Sequence, residues 1–75
     1  MEGRKYFKIK ARRVPPYYPL NSDYLYEEHV YAFSEEGAER VFYNYYKKSF
    51  GNHYALEITE IPKSEFKGHH HTTIL

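Results

Sequence analysis

The chain has 75 residues, with eleven Lys and Arg against ten Asp and Glu, a formal net charge of +1, and neither cysteine nor tryptophan. A chain of this size is expected to be one domain that buries only about 60 to 65% of its unfolded surface, and the lack of Cys excludes disulfides, Cys-based zinc sites and thiol chemistry. Near-zero charge excludes a global field toward nucleic acid or anionic membrane, no run approaches the roughly 18 apolar residues of a membrane span, and no apolar stretch follows Met1 to Lys5, so a soluble, cytoplasmic protein is expected.

Lys5 to Val14 alternates, with Phe7, Ile9 and Ala11 on one side and Tyr6, Lys8, Lys10 and Arg12 on the other, which predicts a half-buried strand with a basic outer row. Pro15-Pro16 stops it, and the segment through Asn21-Ser22-Asp23 reads as a loop. Tyr24 to Phe33 is a second strand candidate whose inward face the pattern leaves open, because apolar and polar residues fall on both parities. Ser34 is a helix N-cap, and Glu35 and Glu36 complement the positive end of the helix dipole. Ala38, Val41, Phe42 and Tyr45 then follow helical spacing, predicting an amphipathic helix over about Glu35 to Ser49 that Gly51 closes. Tyr54 to Ile61 alternates as a third strand, with Tyr54, Leu56 and Ile58 on one side, and Pro62 ends it.

A right-handed crossover through the helix places strand three beside strand one. The expected fold is therefore α+β: ββαβ, a mostly antiparallel three-stranded sheet of order 2-1-3 with one helix packed on one face. Phe7, Ile9, Ala11, Val30, Ala32, Leu56 and Ile58 are expected to pack against Ala38, Val41, Phe42 and Tyr45. Residues 1–63 are read as the domain and 64–75 as a mobile tail, since no period is visible there.

The run from His29 to Ala38, followed by a helix and a strand ending Glu57-Ile58-Thr59-Glu60-Ile61, resembles the strand, Ser-capped acidic turn, helix and strand of many small phage and mobile-element proteins. It also resembles the archaeal ribosomal protein LX family. The resemblance covers about half the chain and is one of residue classes, with no functional residue to transfer. It implies a small accessory protein that binds and modulates a larger macromolecule, in some cases as an inhibitor.

Ten tyrosines and five phenylalanines are more rings than so thin a core can hold, so some must lie at the surface. On the outer sheet face Tyr6, Tyr31 and Phe33 stand among Lys8, Lys10 and Arg12, a pattern that suits single-stranded nucleic acid, where bases stack on rings and cations meet phosphates. The competing reading is that Glu27 and Glu57 neutralise the basic row while the rings cover the sheet or meet another protein, and the low net charge favours it. Tyr17 and Tyr18 join the candidate surface through Pro15-Pro16-Tyr17-Tyr18, the form that WW domains grip. Thr73-Ile74-Leu75 has the form of a PDZ ligand and carries less information. Homodimerisation is a third use of the same rings.

His69-His70-His71 does not converge on one ion, so these residues are read as a solvated tail and no metal is expected. His29 and His53 are expected half-exposed. The adjacent pairs Glu27-Glu28 and Glu35-Glu36 do not form an acid/base dyad, and no phosphate loop or nucleophile elbow is present. The expectation is a non-enzymatic, cofactor-free protein that binds another protein, with nucleic-acid binding the alternative.

Overall fold

Alternating side chains and a capped helix assemble as local chemistry directs in the computed structural model, which describes residues 3–14, 24–47 and 52–75. The elements are β1 (Lys5–Val14), β2 (Tyr24–Ala32), α1 (Glu35–Tyr46), β3 (Asn52–Ile61), a 3-10 turn (Lys63–Glu65) and β4 (His71–Ile74). Ser34 caps α1 as its position predicts: it is extended, and its Oγ accepts from the Gly37 N–H at 3.1 Å. None of the described helices is long and apolar enough to cross a membrane.

The sheet has four strands in the order β3-β1-β2-β4, each adjacent pair antiparallel. β1 lies between β2 and β3 as the crossover argument requires, but the three-stranded sheet of order 2-1-3 is corrected by β4, which adds beside β2. The segment from Ser64, read as a tail, thus contains a strand of the sheet. Periodicity could not reveal β4, because it has only four residues and all four are exposed. Backbone pairing and the side chains just before it hold it instead.

Phe7, Ile9, Ala11, Val30, Ala32, Ala38 and Phe42 are buried between sheet and helix, as the pattern predicts. Tyr26 and Glu28 are buried with them, which settles the inward parity of β2. Two expected core residues are not inside. Leu56 is 55% exposed because a bulge interrupts β3: Lys10 pairs with Glu57 but Ala11 with Ala55, leaving Leu56 as the extra residue and reversing the parity of Tyr54. Tyr45 is exposed on the flank of α1, and Tyr46 takes the inward position against Phe42, with ring centroids 5.0 Å apart.

Candidate functional site

Paired residues share a face, so the outer face follows from the register: Tyr6 opposite Tyr31, Lys8 opposite His29, Lys10 opposite Glu27 and Arg12 opposite Leu25. Its two ends differ. At the Tyr6–Tyr31 end the chain turns back over the sheet after β3, and Phe66 lies against Tyr6 at 4.6 Å, stacks on His29 at 5.8 Å and meets Tyr31 edge-on at 6.0 Å. The Lys67 N–H donates to His29 Nδ1 at 3.0 Å. His29, expected half-exposed, is consequently buried.

At the Arg12 end nothing among the described residues covers the sheet in this way. Leu25, Tyr54, Leu56 and Leu75 are 40 to 58% exposed, and Arg12, Tyr24, Leu25, Leu56 and Leu75 line one shallow depression. Leu75 is fixed there by its N–H, which donates to the Leu25 carbonyl at 3.0 Å. Thr73 and Ile74 pair with β2, so the PDZ-like end is part of the sheet.

On the opposite, inner face a buried polar cluster gathers around Glu28. Its carboxylate accepts from the Tyr46 hydroxyl, contacts His70 Nδ1 at 2.5 Å and lies 3.5 Å from Thr72 Oγ1. Tyr26 hydrogen-bonds His53 Nδ1 at 2.7 Å, and the His53 ring stacks on Tyr46 at 4.1 Å. Burial pushes the Tyr26 and Tyr46 phenols up, with the Glu28 hydrogen bond adding to the effect on Tyr46, so both remain donors. Burial also holds the imidazoles of His29, His53 and His69 below their ordinary value.

The three consecutive histidines are not a solvated tail. His69 Nδ1 accepts from the Tyr31 N–H at 3.2 Å, His70 reaches Glu28 and stacks on Tyr45 at 3.7 Å, and the His71 ring lies 6.0 Å from His29. His70 adopts a φ of 63°, uncommon for a residue with a Cβ, and its N–H donates to the His29 carbonyl at 2.6 Å. Gly68, at φ 124°, makes the preceding turn where a side chain would be strained. Among the described residues no group of three or more His, Cys, Asp or Glu is arranged to hold a metal ion.

The predicted binding residues are thus divided. Tyr6 and Tyr31 sit beneath Phe66, Lys8 lies 3.9 Å from Glu27, and Lys10 and Arg12 continue the row toward the open end. Phe33 falls beyond β2, is 65% exposed, and meets the Arg4 guanidinium at 5.5 Å. Tyr17 and Tyr18 lie outside the described residues. Sequence reasoning missed Glu28, Phe66 and the histidines; a carboxylate on the same parity as Tyr26, Val30 and Ala32 was the available sign of the first.

Comparison with known proteins returns nothing: no family model, no curated protein and no solved structure matches the chain.

Proposed function

We propose that the chain is a small non-enzymatic accessory or inhibitor protein that docks on a larger protein through the open end of its outer sheet face. The observation that carries this reading is the cluster of Leu25, Tyr54, Leu56 and Leu75, all exposed at one end of the outer sheet face, whereas Tyr6 and Tyr31 at the other end are partly covered by Phe66. Clustered exposed apolar area marks an interaction surface, whereas scattered residues do not. The partner surface this patch fits is apolar at its centre. A phage or mobile-element role, implied by the resemblance, would make that partner a larger protein whose activity docking changes.

Glu28, Tyr46 and His70 have acid/base chemistry, but the Glu28 carboxylate is fully buried and its oxygens are engaged by Tyr46 and His70, which supports a structural rather than a catalytic use. Rings held under Phe66 also have less face to offer a stacked base.

The test is differential capture from a nuclease-treated lysate, comparing the parent with Leu25→Ser/Leu56→Ser at matched melting temperature. A partner retained by the parent and lost by at least about tenfold in the variant is expected, since interface anchors carry 1 to several kcal/mol. In parallel, labelled single-stranded DNA and RNA are expected to bind no tighter than about 10⁻⁵ M at physiological salt. A submicromolar, salt-steep isotherm weakened by Lys8→Ala and Lys10→Ala would replace protein docking with nucleic-acid binding.

A further inference from the structure

A second surface feature lies at the other end of the molecule, where β2 passes into α1. A cleft of about 360 Å³ is lined by Arg4, Tyr31, Phe33, Arg40, Asn44 and His69, together with Ala32, Ser34, Gly37 and Val41. No carboxylate among the described residues lines it. Its charged groups, Arg4 and Arg40, are donors only. Arg4 and Arg40 each present a guanidinium, and Asn44 an amide. The Ser34 hydroxyl already accepts the Gly37 N–H. His69 accepts the Tyr31 N–H at Nδ1, so the neutral ring carries its proton on Nε2 and adds a further donor. Burial, with His70 nearby, holds that ring neutral.

Arg4 is set by its neighbours. Its guanidinium lies over Tyr31 at 4.8 Å from the ring centroid and near Phe33 at 5.5 Å, so its face is engaged and its edge of N–H groups is what remains to bind. A guanidinium edge matches a carboxylate in a two-bond fork. Val41 and the exposed Phe33 add apolar surface at the same place.

We infer that this cleft binds an acidic peptide segment, seating a carboxylate side chain between Arg4 and Arg40 and an adjoining apolar side chain on Phe33 and Val41. The site is distinct from the leucine surface at the opposite end of the sheet and does not depend on it. Two observations select a carboxylate over a nucleic-acid strand. The ring faces that a base would stack on already hold Arg4. Glu35, Glu36 and Glu39 lie on the same helix outside the cleft, where they would repel a continuous polyanion while leaving room for a single charge.

The test is an NMR titration of the full ¹⁵N-labelled chain with a blocked Leu-Glu-Leu-Glu-Leu peptide, beside the same peptide with Gln for Glu. Expected are shifts confined to the backbone amides around Phe33 to Val41 and to the Arg4, Arg40 and Asn44 side chains, with the Gln peptide silent. Arg4→Gln and Arg40→Gln, both exposed and expected to fold, should each weaken binding about tenfold, the loss of a charge-assisted hydrogen bond. Arg40→Lys should recover part of that loss. Absence of shifts at millimolar peptide, equal binding of the Gln peptide, or unchanged affinity in both Gln variants would overturn the assignment. Displacement of the peptide by a thymidine oligonucleotide or inorganic phosphate at lower concentration would overturn it too, in favour of a phosphate site. Shifts at Leu25 and Leu56 instead would support the docking surface and remove the cleft.

Discussion

The two ends of the outer sheet face are built from the same strands yet treated differently by the rest of the chain. At one end, Tyr6, Tyr31 and His29 are roofed by Phe66 and the Lys67 amide; at the other, Leu25, Tyr54, Leu56 and Leu75 are exposed. Aromatic composition is therefore a poor guide to where this surface is free. Two of the rings that look like readers in the sequence, Tyr6 and Tyr31, pack under Phe66, and the exposed apolar residues at the open end are Leu25, Leu56 and Leu75 with Tyr54. The difference traces to one route among the described residues: after β3 the chain crosses the Tyr6–Tyr31 end to reach the edge of β2.

That route is anchored under the sheet by Glu28, so the largest expected effect comes from cutting the anchor. Glu28→Ala should lower stability by about 3 to 5 kcal/mol, because it strips a partner from the buried Tyr46 hydroxyl and from His70 together. Thermal melts give the loss, and hydrogen exchange should show the His71–Ile74 amides opening first. An unchanged melt would mean that the arm is held by backbone pairing alone.

Removing the roof sharpens the contrast further. Phe66 is half-buried, so Phe66→Ala should cost less than a core truncation, about 1 to 3 kcal/mol. It should also make the two ends alike by uncovering Tyr6 and Tyr31, which an increase in binding of an apolar dye would record.

Acid should act in the same direction, more weakly. The folded-state values of His29, His53 and His69 lie below the unfolded value of about 6.5, so the unfolded chain binds more protons around that pH. Their contribution is complete above the unfolded value and is lost as the pH falls through the folded ones. Melting temperature should drop between pH 7 and pH 5, and His29→Gln should flatten part of that slope. A rise in melting temperature on acidification would contradict the neutral state assigned to these rings.

The smallest effect on stability is expected at the open end. Leu25→Ser and Leu56→Ser should each stay within about 0.5 kcal/mol of the parent, because neither side chain is buried. Losses above 2 kcal/mol would show that these leucines are part of a covered core.

Much of this was legible in the residues. The alternation of Phe7, Ile9 and Ala11, the Ser34 cap and the Ala38–Phe42 stripe locate three strands' worth of sheet and the helix, since each signal is local and repeated. Leu56 was misplaced because a bulge breaks the period without a mark in the sequence. Tyr45 and Tyr46 could not be told apart, being adjacent and identical. The C-terminal strand was invisible for another reason: it pairs with β2 and is joined to Glu28, 42 residues before His70, and such long-range contacts leave no periodic trace. The open surface was missed with it, since which rings remain exposed depends on where that arm runs.

On the proposed reading the open end, and not the ring-rich end, meets the larger protein. Hydrogen exchange on the full chain with and without its captured partner tests it most directly. Slower exchange at amides 24–26 and 54–57, with residues 6–8 and 64–67 unchanged, is the predicted result. Protection confined to residues 6–8 and 64–67, with amides 24–26 and 54–57 exchanging as in the free chain, would contradict it.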